Sequence, residues 1–350
     1  MGLLKFNNVG IKAISATVPK NIVKTAELTE FFSSEQLEKF IETTDVKERR
    51  FIDPDKTASD LCFVAATKLF EKTGIDTDDI DLLLFVSQTP DHKIPGSSME
   101  LQTRLGLKKS TIVYDMNLSC SGFLHGLLMS YTFLQLPEIK NVLLLVGDTL
   151  SKCISLKDKS TGLLLGDGGI AAVLTNGEQY GDSFFSMNTD GSYLNSVMLP
   201  AGGSRMMSSA ETLKMVEQED GSIRNEEQLV MNGMDVFSFA ISELPKDVRR
   251  LLEYAQVNLD DIDKYAFHQA NRFMNEHIVK KLKANPEKVL RSIHKYGNTA
   301  GVSIPLTLVE NRDEIHANES ILMNAIGAGF AYGTVLLNIA DCQILELNEL

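Results

Sequence analysis

Three residues far apart in the chain, Cys120, His268 and Asn298, are of types that together can carry out nucleophilic chemistry on an acyl group. Cys120 stands in "LSCSGF", between a strand-like apolar run and a helical pattern. A thiol at a helix start is expected to ionise more easily, because unpaired N–H groups and the helix dipole favour thiolate. His268 opens "HQANRFM" directly after the strand-like "KYAF", and an imidazole can donate or accept a proton near neutral pH. Asn298, in "YGNTAG", is a poor base but a fixed hydrogen-bond donor, which suits a developing oxyanion. "GAG" at 327–329 lets backbone come close to a substrate, so the N–H groups of Ala328 and Cys120 form a candidate oxyanion hole. Taken singly, each has a blander reading: a buried cysteine, a strand end, a tight turn.

The elements that must bring these residues together alternate between strand-like and helix-like along the whole chain, the α/β pattern. "IDLLLFVSQ" (80–88), "STIVYDM" (110–116), "NVLLLVGD" (141–148) and "GIAAVLTN" (169–176) read as strands. "TASDLCFVAATKLFEKTG" (57–74) reads as a helix closed by Gly74. The second half repeats the first. "DDIDLLLF" (78–85) recurs as "DDIDKYAF" (260–267), and the strand, turn and helix around Gly122 recur in "RSIHKYGNTAGVSIPLTLVE" (291–310), with Gly301 in the place of Gly122. "ESILMNAIGAGFAYGTVLLNI" (319–339) mirrors "NVLLLVGD" with "GDGGIAAVL". A long-period match of this kind predicts a duplicated domain, with halves at 1–180 and 181–350. Equivalent turns of the two halves would then converge, placing Cys120, His268 and Asn298 at strand ends of one kind. Residues 201–228, polar and without periodicity, read as an insertion of the sort often used as a lid or binding segment.

Composition narrows the function further. A net charge of −13 over 350 residues argues against nucleic-acid binding. The longest apolar runs are strand-length, well short of the roughly 20 residues of a membrane span, and no leader pattern opens the chain, so a cytoplasmic protein is expected. The four cysteines, Cys62, Cys120, Cys153 and Cys342, are widely spaced, which speaks against a disulfide framework or a zinc site; neither a metal nor a cofactor is expected. The remaining histidines have no metal-ligand spacing.

"SCSGF", "HQANRFM", "YGNTAGVSIP" and "GAGFAYG", in that order over essentially the full chain, resemble β-ketoacyl-acyl carrier protein synthase III, the initiating condensing enzyme of the thiolase superfamily. The resemblance implies a duplicated thiolase-like five-layer αβαβα fold, a homodimer, and a triad of Cys120, His268 and Asn298. It implies that Cys120 takes an acyl group from an acyl-CoA or acyl-ACP primer, with Cys120 and Ala328 as oxyanion hole. His268 and Asn298 would then support decarboxylation of malonyl-ACP, and the carbanion would give a β-ketoacyl-ACP. Ile94, Asn271 and Arg272 fall at substrate-contact positions, and Lys280 and Lys281 form a basic face for the acidic acyl carrier protein.

The chain also departs from the family pattern. The tryptophan and arginine that clamp the CoA adenine correspond to Lys39 and Thr43, and there is no tryptophan. An arginine expected after "HQAN" falls on Phe273 beside Arg272, and the aromatic that the resemblance places in the pocket wall contributed by the partner subunit is Ile94 before Pro95. These changes leave open a specialised condensing enzyme taking a longer acyl-CoA or acyl-ACP for secondary-metabolite or surface-polysaccharide synthesis. A non-catalytic partner subunit would have lost the nucleophile, which this chain keeps, and a Cys-His-Asn hydrolase would lack the duplication.

Overall fold

The computed structural model describes residues 2–350. In the first half the chain forms β1 (Gly2–Asn7), β2 (Val9–Val18), α1 (Ser34–Thr44), α2 (Ala58–Thr73), β3 (Leu82–Val86), α3 (Ser97–Arg104), β4 (Ile112–Met116), α4 (Gly122–Phe133), β5 (Asn141–Asp148) and β6 (Gly168–Asn176). There follow β7 (Asp182–Thr189), α5 (Gly233–Ala255), β8 (Lys264–Phe267), α6 (Arg272–Leu282), a single turn α7 (Ile293–Tyr296), α8 (Ser303–Glu310), β9 (Ser320–Gly327), β10 (Ala331–Asn338), β11 (Gln343–Ile344) and β12 (Asn348–Glu349). The sequence-predicted helix over 57–74 forms with a Thr57–Asp60 capping box and ends at Gly74 with φ 69°, a left-handed turn that glycine takes without strain. No helix of the described residues is long and apolar enough to cross a membrane.

Two large sheets form, and their strands run in corresponding order. One is β11-β2-β6-β5-β3-β4, with β12 also paired to β2; the other is β1-β7-β10-β9-β8. In both, the inner parallel pair (β3 with β5, β8 with β9) is followed by an antiparallel hairpin (β5 with β6, β9 with β10). The inner strands β3, β5 and β9 are largely apolar and buried because both faces of the sheet are covered there. Leu82, Leu84 and Val86 turn into a core shared with α4, α8 and the second sheet, while Leu83 and Phe85 pack against α2 and α3. In the second sheet Ile321 and Met323 face that same central core, and Leu322 and Leu336 face α5 and α6. Five layers result, helix, sheet, helix, sheet, helix, with α4 and α8 in the middle.

Two expectations need correction. "RSIHKY" is not a strand: its end forms α7, and the strand's place beside β8 is held by a single bridge between Tyr265 and Val289. The segment 201–228 is not a free lid. It folds a small hairpin, Val216–Glu217 with Ile223–Arg224, that is bonded to the neighbouring loop. Ile223 N–H donates to Lys157 O at 3.1 Å, and Arg224 pairs with the buried Asp158 at 2.8 Å.

The terminal strands cross between the halves. β1 pairs with β7 in the second sheet, and β11 and β12 pair with β2 in the first. A buried polar network ties α5 to the second sheet in addition to apolar packing. The fully buried Asp247 accepts from Ser186 Oγ at 2.6 Å, Asn188 Nδ2 at 2.8 Å and Thr334 Oγ1 at 2.6 Å, and pairs with Arg250 at 2.5 Å. Asp247→Ala leaves these donors without an acceptor and is expected to cost about 3 kcal/mol. Urea unfolding checks this; an unchanged midpoint and slope would show that the network contributes nothing.

Candidate active site

The turn that carries Cys120 lies between β4 and α4. Gly122 N–H donates to Ser119 O at 2.6 Å, closing a tight bend that carries Cys120 at its tip. The helix that follows, "GFLHGLLMSYTF", is apolar nearly all round and sits in the central layer. Two turns of the second half press directly on this bend. A Cβ on Gly301 would stand 2.8 Å from Ser119 O, and one on Gly327 would stand 3.0 Å from Ser121 N, so only glycine permits the approach.

Depth reverses the expected ionisation of Cys120. Burial pushes the thiol up to about 11, because thiolate loses more hydration here than the helix start returns. The Ser119 hydroxyl, 3.4 Å from Cys120 Sγ, opposes this, and the buried Asp148 carboxyl reinforces it. Cys120 therefore rests as a thiol near neutral pH.

His268 follows β8 directly and is buried. Its N–H donates to Asn324 O at 2.9 Å, and Nδ1 lies 2.6 Å from Ser303 Oγ at the start of α8. Burial pushes its pKa down to about 4, keeping the imidazole neutral. Asn298 is pinned through its backbone: its N–H donates to Leu164 O at 2.9 Å and its carbonyl accepts from Gly166 N–H at 3.0 Å. The side-chain Oδ1 accepts from Ala300 N–H at 2.9 Å, which turns the Nδ2 donors the other way.

Cys120, His268, Asn298, Ala328 and Asn271 line one cleft enclosing about 830 Å³, part of it open to solvent. Its walls are apolar, with Leu150, Leu165, Val236, Phe237 and Met274 prominent. A second hollow adjoins it through Gln88, Leu150, Val197, Leu229 and Ala328 and continues to Leu194, Met198 and Leu199. Other residues singled out in the sequence lie outside both. Ile94 is 88% exposed on its loop. Arg272 is engaged by Glu42 O and lies 3.8 Å from Glu276, lining a small separate hollow with Asp45 and Gln269. Lys280 and Lys281 are exposed in the last turn of α6. No described residue of 201–228 lines the cleft, although Leu229 and Met231 just beyond it do. Sequence reasoning missed Ser119, Ser303, Gln88 and Phe237; of these only Ser119, beside the nucleophile, was signalled by position.

A cysteine at the head of a central helix, facing turns of a duplicated half across an apolar cleft, defines a thiolase-fold condensing acyltransferase. The family profile described as 3-Oxoacyl-[acyl-carrier-protein (ACP)] synthase III matches residues 114–191, and the profile for that enzyme's C terminal matches residues 252–339. The chain is 31% identical over 344 residues to a β-ketoacyl-[acyl-carrier-protein] synthase III of Fusobacterium nucleatum, covering 95% of this chain and 99% of that one. It is 32% identical over 324 residues to the enzyme so named from Clostridium perfringens, covering 92% and 96%. Among solved structures, a 3-oxoacyl-(acyl-carrier protein) synthase from Burkholderia xenovorans LB400 superposes with a TM-score of 0.92 at 32% identity over 99% of both chains. The chain belongs to the β-ketoacyl-[acyl-carrier-protein] synthase III family.

Proposed function

We propose that the protein transfers an acyl group from a thioester primer to Cys120 and condenses it with malonyl-ACP. The observation that carries this reading is the single cleft lined by Cys120, His268, Asn298 and Ala328. Cys120 Sγ attacks the primer carbonyl, the primer's C–S bond breaks, and the leaving thiolate recovers the proton that the Cys120 thiol gives up. The Cys120 and Ala328 N–H groups hold the intermediate oxyanion. Malonyl-ACP then loses carbon dioxide, and the electrons of the broken C–C bond pass to the thioester oxygen as an enolate held by His268 and Asn298. The enolate carbon attacks the acyl-Cys120 carbonyl, and the Cys120 thiolate leaves, giving β-ketoacyl-ACP. Lys280 and Lys281 offer the acidic carrier protein an exposed basic contact. The open edge of β4, where Ile112 is 42% and Tyr114 51% exposed, supports pairing with a second copy as a homodimer.

The second hollow favours a primer longer than acetyl. Leu150, Val197, Met198, Leu199 and Leu229 offer an acyl tail apolar cover at about 0.8 kcal/mol per buried CH₂. Lys39 and Thr43 present no ring to stack on adenine. Acyl-enzyme is trapped by mass spectrometry with acetyl-CoA, hexanoyl-CoA and hexanoyl-ACP in competition, and malonyl-ACP is then added. Hexanoyl donors are expected to exceed acetyl-CoA at least tenfold in kcat/KM, roughly what two well-buried CH₂ groups supply. Acetyl-CoA as the best primer would overturn the chain-length reading, and absence of β-ketoacyl-ACP with every primer would overturn the condensation itself.

A further inference from the structure

We propose that Ser303 is a positioning residue that fixes the tautomer of His268, keeping the imidazole proton on Nε2 so that the ring enters the cleft as a hydrogen-bond donor. The inference rests on the condensing reaction proposed above and adds to it a residue outside the cleft lining.

Ser303 opens α8 in the central layer, and its side chain is almost wholly buried. Two groups reach its hydroxyl oxygen: Gln269 N–H at 3.3 Å and His268 Nδ1 at 2.6 Å. The backbone N–H of Gln269 can only donate, so it occupies a lone pair of Oγ. The hydroxyl has one proton of its own, and among the hydrogen bonds of the described residues Nδ1 is the one acceptor placed to take it. Were Nδ1 protonated instead, two N–H groups would point at one oxygen and the hydroxyl proton would be buried without a partner, a cost of roughly 1–3 kcal/mol. With Nδ1 accepting, a neutral imidazole has its single proton on Nε2.

Asn298 is set in the same sense by different means. Ala300 N–H holds its Oδ1, which leaves the Nδ2 donors for the cleft. Both side chains therefore present N–H rather than a lone pair, the arrangement that an enolate oxygen needs and a general base does not. A protonated Nε2 has no lone pair with which to take the Cys120 proton, so His268 acts in the malonyl half of the reaction.

The test is ¹⁵N NMR of protein labelled at histidine, because a ring nitrogen's chemical shift reports whether it carries a proton. The His268 signals are assigned by their loss in His268→Gln. The native protein is expected to show Nε2 protonated and Nδ1 bare near neutral pH. Ser303→Ala should bring the two nitrogens toward a tautomer mixture, and Ser303→Thr, which keeps the hydroxyl, should restore the native pattern. In parallel, Ser303→Ala should lower malonyl-ACP decarboxylation about tenfold more than it lowers acylation of Cys120. A proton on Nδ1 in the native protein overturns the proposal even if Ser303→Ala fails to fold, and so does an unchanged tautomer in a folded Ser303→Ala. Failure of the condensing reading is separate: the tautomer would be as described, yet His268→Ala would condense normally.

Discussion

Cys120→Ala is expected to abolish acyl-enzyme formation outright: incubation with primer adds one acyl mass to the native protein and none to the variant. Cys62→Ala, Cys153→Ala and Cys342→Ala should acylate at near-native rates. Ionisation does not separate these thiols, since burial pushes Cys153 up to about 11 just as it does Cys120, and pushes Cys62 and Cys342 higher still. Location separates them. Of the four, only Cys120 lines the cleft, at the bend that opens α4. A further consequence is a pH signature. A free cysteine ionises near 8.5, so its alkylation by iodoacetamide levels off above that value, whereas alkylation of Cys120 should keep rising toward pH 11. Acylation of the Cys120→Ala protein would remove the basis for this assignment, and a plateau near pH 8.5 would show that burial does not raise the Cys120 thiol.

The second large effect is expected from His268→Ala and Asn298→Ala. Both should still take up an acyl group, and both should lose decarboxylation of malonyl-ACP by roughly 10²–10³, the usual loss when one preorganised donor to a developing oxyanion is removed. The reasoning is geometric. His268 turns Nδ1 toward Ser303 Oγ, and Asn298 has its carbonyl occupied, so both are arranged to donate into the cleft rather than to take a proton from the thiol. Each can strengthen its hydrogen bond only when negative charge grows on the thioester oxygen. Carbon dioxide release from acylated enzyme at the native rate in either variant would place the two residues outside the chemistry.

Much of this was legible in the residues themselves. The apolar runs at 82–86 and 141–148 and the matched motifs of the two halves predict buried strands at those places, and strands form there. The turns that converge on Cys120 are the ones the duplication predicts. What failed, failed because it depends on depth and on neighbours. "RSIHKY" reads as a strand only through its match to the first half; the one bridge to β8 there is Tyr265 with Val289, just ahead of it, and the chain turns helically before Gly297. The helix start at Cys120 reads as an acidifying site, yet its place between two sheets removes the water that thiolate needs. Ser303 is a lone hydroxyl in an apolar helix, and nothing in its spacing from His268 announces a 2.6 Å contact.

The crossing of the terminal strands bears on how the molecule is made. β2 has one side paired to β6 and the other to β11 and β12, so the pairing of residues 9–18 is not complete until residue 349 has left the ribosome. At roughly 5–20 residues per second, that interval is on the order of tens of seconds. During it the nascent chain carries an open, mostly apolar strand edge of the kind that templates aggregation. The nucleophile-bearing sheet thus begins early in translation and closes last. The newly made protein depends through most of its synthesis on whatever keeps such an edge from meeting another chain.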